Sequence, residues 1–184
     1  MAITSEPWTS PSPCAVGREL VQVELPVLNA LGAGDLAAAQ KMDSLINLTP
    51  YLVSSECRGV WERRAHQIQA DARDGVWITR LVIDARNRAV VGRAGFHGQP
   101  DQVGMVEIGY SIDSMHRRQG HARAAVQILL DAAAGDSRVK TVRASVRPDN
   151  IPSLSLIQEF GFQPIGEQWD DEDGLELVFE RPCS

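Results

Sequence analysis

"HRRQGHARAA", residues 116–125, separates a stretch typical of a β-strand from one typical of an α-helix. Small and aliphatic side chains then recur every three or four positions and form one apolar helical face: Ala122, Ala125, Val126, Leu129, Leu130 and Ala133. We therefore predict a helix that begins directly after the quoted stretch and ends at Gly135.

The start of this helix has the features of an anion-binding loop. A helix that follows a strand at once leaves its first four backbone N–H groups unpaired, and the peptide dipoles add partial positive charge there. Positions 117–122 carry Arg, Arg, Gln, Gly, His and Ala, none of them a good cap. Gly120 lets the backbone approach a ligand closely, and Ala122 keeps the next turn small. Phosphate oxygens are within reach of three arginines, Arg117, Arg118 and Arg123.

Two better-known phosphate motifs fit less well. The nucleoside triphosphate loop needs a Gly-Lys-Ser/Thr triplet, which the chain lacks. "GRAGFHG", residues 92–98, follows a strand but lacks the GxGxxG spacing and runs into turn residues. We interpret that segment as a glycine-rich hairpin and the stretch at 117–122 as a pyrophosphate-binding loop.

The pattern upstream predicts a strand, two helices and an antiparallel meander. "ELVQVEL" (19–25) alternates like a half-buried strand, and "GDLAAAQKMDSLINL" (34–48) has helical spacing. A second helix is predicted from an N-cap at Ser54 or Ser55 to Gly75. The meander consists of three β-rich runs separated by turn residues: "VWITRLVID", "AVVGRAGFH" and "MVEIGYSID".

Downstream, "VKTVRASVRP" (139–148) predicts a strand, and "NIPSLSLIQEF" (150–160) predicts a short helix with Asn150 as its N-cap. A closing hairpin is predicted about Asp173-Gly174. The order of elements indicates a single mixed α/β domain with a strand-helix-strand crossover, so at least one pair of strands should be parallel.

Composition limits the remaining possibilities. The 184 residues are 43% hydrophobic and 23% charged, and no run of about eighteen apolar residues predicts a membrane span. Residues 1–17 are interpreted as a flexible Ser/Pro-rich leader without signal-peptide features, and residues 18–184 as the domain. The three cysteines lack disulfide or zinc spacing, which favours a reducing, cytoplasmic setting. The net charge of −6 argues against nucleic-acid binding as the main function.

Three segments together resemble the GNAT superfamily of N-acetyltransferases, over roughly residues 19–181. Residues 117–122 match its Arg/Gln-x-x-Gly-x-Gly/Ala signature, "VEIGYSI" resembles the strand before that loop, and "NIPSLSLIQEFGF" resembles its Asn-x-x-Ser helix ending in Gly-Phe. The branch containing the ribosomal-protein N-terminal acetyltransferases is the most similar. The resemblance implies a mixed, mostly antiparallel sheet of about 6–7 strands flanked by about four helices.

The same resemblance implies an acetyltransferase reaction. The acetyl group passes from acetyl-coenzyme A to a primary amine, on a peptide N-terminus or a small molecule, by direct attack within a ternary complex and without a metal. It also implies that homodimers form through the last strands. Six loop residues are implied to hold the pyrophosphate, together with Arg123: Arg117, Arg118, Gln119, Gly120, His121 and Ala122.

Further roles follow from this resemblance. The backbone of residues 110–112, including Ser111 and Ile112, is implied to bind the pantetheine arm, and Asn150 to contact it. Glu107 is the candidate base, with a solvated or ion-paired carboxylate as the alternative. Ile157 stands where many relatives have a proton-donating tyrosine, so the alternatives are donation by Ser153 or Ser155 and departure of the thiolate to water without a donor.

Several questions stay open at the level of the sequence. A module that binds the coenzyme without turnover is the alternative to an enzyme. The acidic run at 170–174 fits either attraction of a cationic acceptor or a solvated turn. His97 is interpreted as a turn residue and His121 as a neighbour of the coenzyme, and with His116 they do not form a metal site. Trp61 and Trp77 fit either the core or an acceptor pocket.

Overall fold

The computed structural model describes residues 3–171 and 174–183, and its central feature is a mixed sheet. The sheet contains seven strands: β1 (Arg18–Val21), β2 (Arg80–Asp84), β3 (Ala89–Phe96), β4 (Met105–Ile112), β5 (Thr141–Val146), β6 (Gln163–Asp170) and β7 (Gly174–Pro182). Their spatial order is β1-β2-β3-β4-β5-β7-β6. All neighbours pair antiparallel except β4 and β5, which are parallel, so the predicted meander and the predicted parallel pair are both confirmed.

Five α-helices cover the sheet: α1 (Leu25–Gly32), α2 (Leu36–Met42), α3 (Ser55–Ala70), α4 (His121–Gly135) and α5 (Ile151–Glu159). Short 3-10 turns lie at Pro50–Val53, Ala72–Val76 and Ser114–His116. None of the helices described by the structure is both long and apolar enough to span a bilayer.

Two apolar clusters hold the helices to opposite faces of the sheet. Helix α4 packs with alternate residues of β4, including Val106 and Ile108, in the larger cluster. Helices α1 and α3 pack with Leu81 and Ile83 of β2 in the other cluster. Because successive side chains of a strand point to opposite faces, the central strands are apolar in both directions. Trp61 and Trp77 are both buried in these clusters, which makes them core residues.

The helices differ from the sequence prediction at their boundaries. Helix α1 was not predicted, and it begins beside Pro26, the favoured residue of a first helical turn. The helix predicted over 34–48 ends at Met42, because the Gln40 side chain donates hydrogen bonds to the carbonyl oxygens of Asp43 (2.6 Å) and Ile46 (2.8 Å) and so stabilises a loop. Helix α3 ends at Ala70, and Gly75 lies in the following 3-10 turn.

The segment interpreted as a flexible leader packs on the domain over its described residues. Trp8 is 7% exposed and forms a bridge with Leu20 of β1. The guanidinium group of buried Arg80 lies 3.7 Å from the centre of the Trp8 ring and donates to the carbonyl oxygens of Thr4 (2.6 Å) and Glu6 (2.8 Å). Burial of the indole and these hydrogen bonds explain the difference from the expected loose segment.

Candidate active site

Strands β4 and β5 are paired over only part of their length. The parallel ladder joins residues 105–107 to residues 141–143 and stops there. Beyond this point β4 stays paired with β3 as far as Ile112, and β5 stays paired with β7 as far as Val146. The two strands therefore diverge, and we call the gap beyond residues 107 and 143 the split.

Pairing with β3 determines which backbone groups of β4 face the split. The N–H of His97 donates to the carbonyl oxygen of Glu107 at 2.8 Å, so Glu107 directs its backbone groups to the β3 side. Alternation along an antiparallel ladder directs those of Ser111 to the same side. The backbone groups of Tyr110 and Ile112 face the split instead. The backbone of Ser111 was expected to bind the pantetheine arm, but its N–H is directed to β3 and does not face the split.

The loop at the end of β4 leads directly to the start of helix α4. Gly120 is the N-cap of α4, with φ of 81°, and no side chain caps this end of the helix. Arg118 also has a positive φ, 60°, a conformation that costs a non-glycine residue about 1–2 kcal/mol. A Cβ atom at Gly120 would meet nothing within 4 Å. The first turn of α4 therefore has no side-chain cap, as predicted, and its geometry is suited to an anion.

The three arginines of this loop have different surroundings. The Nε of Arg117 donates to the carbonyl oxygen of Ile112 at 3.0 Å, and Arg123 forms an ion pair with Glu159 of α5. Arg118 is exposed, and within the described ranges its side chain has no hydrogen-bond or ion-pair partner. Arg118 is thus the side chain most available to an anionic ligand, with exposed Gln119 beside it.

The side chain of His121 does not face the open end of α4. It is 2% exposed and its Nδ1 accepts a hydrogen bond from the Nε of Arg18 at 3.4 Å. Burial and the positive charge of Arg18 lower the pKa of His121. The His121 side chain, expected to lie beside the coenzyme, is therefore hydrogen-bonded to Arg18 of β1. The backbone N–H groups of residues 121 and 122 remain available to a ligand.

Glu107 lies on the opposite face of β4 from helix α4, because its neighbours Val106 and Ile108 pack with that helix. The hydroxyl group of Ser145 donates to its Oε1 at 2.6 Å, and the side-chain amide of Gln168 donates to Ser145 at 3.1 Å. The other carboxylate oxygen, Oε2, lies 3.9 Å from Nδ1 of His97. The Glu107 side chain is 19% exposed, so it is accessible but largely enclosed.

A second polar group lies near the end of β4 on the same face. The hydroxyl group of Tyr51 donates to Oγ of Ser111 at 3.0 Å, and Ser111 in turn donates to the carboxylate of Glu56. Burial raises the pKa of Tyr51, which keeps its phenol protonated. The Ser111 hydroxyl is therefore used by α3 and by the turn before it.

Tyr110 and Ser153 meet on the other face of the sheet. The hydroxyl oxygen of Tyr110 lies 2.7 Å from Oγ of Ser153, in the first turn of α5. Burial raises the pKa of Tyr110, so the phenol is a donor at neutral pH. Asn150 caps α5 by accepting a hydrogen bond from the N–H of Ser153 at 3.2 Å, as predicted. Ile157 is fully buried.

Sequence reasoning missed three neighbours of Glu107 and Ser111, namely His97, Ser145 and Tyr51. His97 lies directly beyond β3, and only the β3–β4 register brings it opposite Glu107. Ser145 is two residues beyond Arg143, the parallel partner of Glu107, and therefore shares its face. A correct register would have indicated both residues, whereas no local signal indicates Tyr51.

The acidic run at 170–174 is only partly described, because residues 172 and 173 lie outside the described ranges. Elsewhere in residues 3–171 and 174–183, no group of three His, Cys, Asp or Glu side chains is arranged to hold a metal ion.

A split parallel pair that leads to the open N-terminus of a helix defines a protein that binds an extended ligand with an anionic end. Residues 29–163 match the family described as acetyltransferase (GNAT) domain. The chain belongs to this family.

Two curated relatives are named as N-acetyltransferases. YjdG of Bacillus subtilis strain 168, an uncharacterised N-acetyltransferase, is 34% identical over 82 residues, which are 45% of this chain and 49% of YjdG. The uncharacterised N-acetyltransferase p20 of Bacillus licheniformis is 29% identical over 121 residues, 66% of either chain. The chain thus matches about half of one relative's length and just under two thirds of the other's.

Solved structures share the fold at low identity. RimJ of Mycobacterium smegmatis, in complex with CoA-disulfide, has a TM-score of 0.64 and 20% identity, over 97% of this chain and 86% of that one. A structure of RimL, a ribosomal α-N-protein acetyltransferase in complex with coenzyme A, has a TM-score of 0.63 and 16% identity, over 94% and 98%. A spermidine N-acetyltransferase SpeG variant from Vibrio cholerae has a TM-score of 0.63 and 15% identity, over 91% and 95%.

Proposed function

We propose that this protein transfers an acetyl group from acetyl-coenzyme A to a primary amine by direct attack within a ternary complex. The observation that carries the proposal is the split between β4 and β5, which leads to the uncapped N-terminus of α4. An extended thioester with a pyrophosphate at one end matches both features. Membership of the GNAT family supports the same reaction.

The coenzyme would be held mainly by backbone groups. The N–H groups at the start of α4, from Gln119 to Ala122, would bind the pyrophosphate, with Arg118 contacting its outer oxygens. The N–H groups of Tyr110 and Ile112 face the split and would bind the pantetheine arm and the thioester oxygen. Asn150 would reach the same arm from the start of α5. The positive φ of Arg118 supports this assignment, because backbone strain is commonly retained where it positions groups for a ligand.

Glu107 is the proposed base for the acceptor amine. It lies on the same strand as residues 110–112, and its carboxylate is held by Ser145 through Oε1, which leaves Oε2 for another partner. A peptide α-amine has a pKa of about 7.7–8.0 and a lysine about 10.4, so an α-amine needs less help at neutral pH. A peptide N-terminus or a small amine is the proposed acceptor class.

Ser153 is the proposed proton donor to the departing thiolate. Its hydroxyl group is hydrogen-bonded to Tyr110, a protonated phenol, so a proton that Ser153 gives away can be replaced. This pair supplies a donor on the side where Ile157 replaces the tyrosine of many relatives.

The test begins with calorimetric titration of acetyl-coenzyme A at two salt concentrations. Release of free thiol is then measured with small amines, polyamines, aminoglycosides and peptides with free N-termini. Binding together with thiol release for one acceptor class supports the proposal and identifies the substrate. Binding without release across the panel contradicts it and favours a module that only binds the coenzyme.

Glu107→Gln separates the two readings further. An enzyme loses rate in this variant and keeps its affinity for acetyl-coenzyme A, whereas a binding module changes in neither respect. Absence of coenzyme binding by the wild-type protein would contradict both.

A further inference from the structure

We propose that His97 is a further catalytic group. Its Nε2 takes the proton from the acceptor amine, and the Nδ1–H of the resulting imidazolium is stabilised by the carboxylate of Glu107. This inference rests on the proposed acetyltransferase function and assigns the path of one proton within it. Glu107 remains the terminal carboxylate, and His97 lies between it and the acceptor.

The geometry around Glu107 leaves one oxygen directed at His97. Oε1 of Glu107 accepts the hydrogen bond from Ser145 at 2.6 Å, whereas Oε2 lies 3.9 Å from Nδ1 of His97. Hydrogen bonds of catalytic groups are often long before substrate binds and shorten in the complex. A rotation of the imidazole that shortens this distance by about 1 Å would bring Nδ1–H to the carboxylate at ordinary hydrogen-bond length.

The imidazole ring of His97 lies over Gly109. An ideal Cβ atom on Gly109 would be 2.7 Å from Nε2 of His97, a distance that real Cβ atoms essentially never show. The glycine therefore makes room for the ring on the face of β4 that carries Glu107. Nε2 is consequently placed between the carboxylate and residues 110–112, and the His97 side chain is 48% exposed, so an acceptor can reach it.

Helix α3 fixes the backbone of His97. The carbonyl oxygen of His97 accepts hydrogen bonds from Nη1 of Arg64 at 3.1 Å and from the side-chain amide of Gln67 at 2.8 Å. The N–H of His97 is bonded to Glu107 on the other side. These three contacts fix the main chain of His97 at the end of β3, and the side chain extends from this fixed position over β4.

The charges around His97 favour its neutral form. Partial loss of solvent around the half-exposed ring lowers its pKa, and the positive charge of Arg64 lowers it further, while the carboxylate of Glu107 acts in the opposite direction. The charged groups that face it come from α3, β3 and β4, and they are Arg63, Arg64, Arg93 and Glu107. Nearby Asp74 accepts hydrogen bonds from Gln67 and Gln99.

The pH dependence follows from that direction of shift. The ordinary pKa of histidine is about 6.5, and a lowered pKa leaves His97 neutral at pH 7. The base is then present above its pKa and is lost as the pH falls through it. We therefore assign the loss of kcat/KM at low pH to protonation of His97.

The proposed step is balanced in protons and electrons. The amine lone pair forms the new N–C bond, and the C–S bond breaks with its electron pair going to sulfur. The proton that the amine loses goes to Nε2 of His97, and the imidazolium shares its Nδ1 proton with Glu107. The thiolate receives its proton from Ser153, which takes a replacement from the hydroxyl group of Tyr110. The imidazolium then gives up its proton to solvent and Tyr110 takes one from solvent, which restores the starting state.

Steady-state kinetics of His97→Ala with the acceptor found in the panel test this role. We expect kcat to fall about a hundredfold, the usual scale of general-base catalysis, with KM for acetyl-coenzyme A unchanged and partial rescue by added imidazole. The acidic limb of the kcat/KM profile is expected to disappear. Gly109→Ala, which displaces the ring without removing it, is expected to lower kcat as well. His66→Gln, which changes an exposed histidine of α3, is the control and should match the wild type.

NMR titration of the imidazole of His97 is the second measurement, and it does not depend on the acceptor. Glu107→Gln removes the charge that raises the pKa of His97, so that pKa should fall further in the variant. If the wild type releases thiol but His97→Ala keeps its rate and acidic limb, or if Glu107→Gln leaves the pKa of His97 unchanged, the role of His97 is overturned while the proposed function stands. If the wild type releases no thiol with any acceptor, the proposed function itself is overturned.

Discussion

The hydroxyl group of Ser145, two residues beyond the last paired position of β5, donates a 2.6 Å hydrogen bond to Oε1 of Glu107 on β4. The bond holds the carboxylate at the inner end of the split, on the face away from α4. A carboxylate in this position is fixed by the sheet itself, so its orientation depends on a hydroxyl of the neighbouring strand.

Ser145→Ala is therefore predicted to lower kcat and to leave KM for acetyl-coenzyme A unchanged. A hydrogen bond to a charged group contributes about 1.5–3 kcal/mol, so a loss of roughly tenfold or more is expected. Steady-state thiol release measures the effect. Ser137→Ala changes an exposed serine outside the site and is the control. An unchanged kcat in Ser145→Ala would show that Glu107 does not need this bond.

Gly120→Ala is predicted to weaken acetyl-coenzyme A binding by about tenfold or more, because backbone contacts at the start of α4 would be displaced. Gly161 offers a matched control: its φ is also 81° and a Cβ there also meets nothing within 4 Å. Both variants carry the same backbone strain of about 1–2 kcal/mol. Calorimetry should show weaker binding for Gly120→Ala alone, and equal weakening in the two variants would assign the effect to stability.

Tyr110→Phe and Ser153→Ala are predicted to lower kcat by similar factors, and the double variant to lose little more than either single one. Two groups that act through one hydrogen bond, 2.7 Å here, give non-additive effects. A double-mutant cycle on thiol release measures the coupling. Additive losses would mean that the two hydroxyl groups act separately.

Helix α4 and the strands around it could be predicted from sequence because their periodicity is local. Eight of the fifteen α4 residues are buried, and they recur at helical spacing. The parallel pair followed from the crossover rule alone. Helix α1 was missed because the alternation of "ELVQVEL" continues past the end of β1 to Leu25, where the helix begins.

The site was predictable only where a single segment forms it. The loop at 117–122 is contiguous, and its lack of capping side chains was visible in the sequence. The surroundings of Glu107 come from the end of β3 and from β5, so their discovery requires the register of two strand pairs. The contact between His121 and Arg18 of β1 joins residues more than a hundred positions apart, so the sequence alone did not indicate it.

Arg80→Met is predicted to lower the free energy of unfolding by about 1–3 kcal/mol, the usual cost of leaving a buried polar group without its hydrogen-bond partner. The guanidinium group donates to four carbonyl oxygens, at Thr4, Glu6, Leu20 and Val76, which would lose this partner. Urea denaturation measures the loss, and limited proteolysis should cut the N-terminal segment faster. Arg73→Met, at an exposed ion pair with Asp71, should cost less than about 1 kcal/mol.

Stability is predicted to fall as the pH drops from about 4 toward 2. Hydrogen bonds from the Arg86 side chain lower the pKa of Asp84 to about 2, and Arg138 lowers the pKa of Asp136. A carboxyl with a lowered pKa stabilises the fold above its unfolded pKa and loses that contribution as it is protonated in the folded state.

Asp84→Asn tests this dependence. The variant should be less stable than the wild type at pH 7, and the difference should shrink at low pH in urea titrations. Asp149→Asn, which changes an exposed aspartate, is the control. If the free energy of unfolding changes with pH equally in Asp84→Asn and the wild type, Asp84 does not cause the loss of stability at low pH.

Two unpaired strand edges lie inside this sheet instead of at its margins, because β4 and β5 diverge after residues 107 and 143. At a margin, open hydrogen-bonding groups can recruit strands from other molecules and cause aggregation. Here each edge has an outer neighbour, β3 or β7, and helices α4 and α5 pack beside β4 and β5, so the open groups face each other across the split and are not presented at a margin. An extended ligand bound in the split would pair with these groups as an added strand does, and its binding would therefore also raise the melting temperature of the domain.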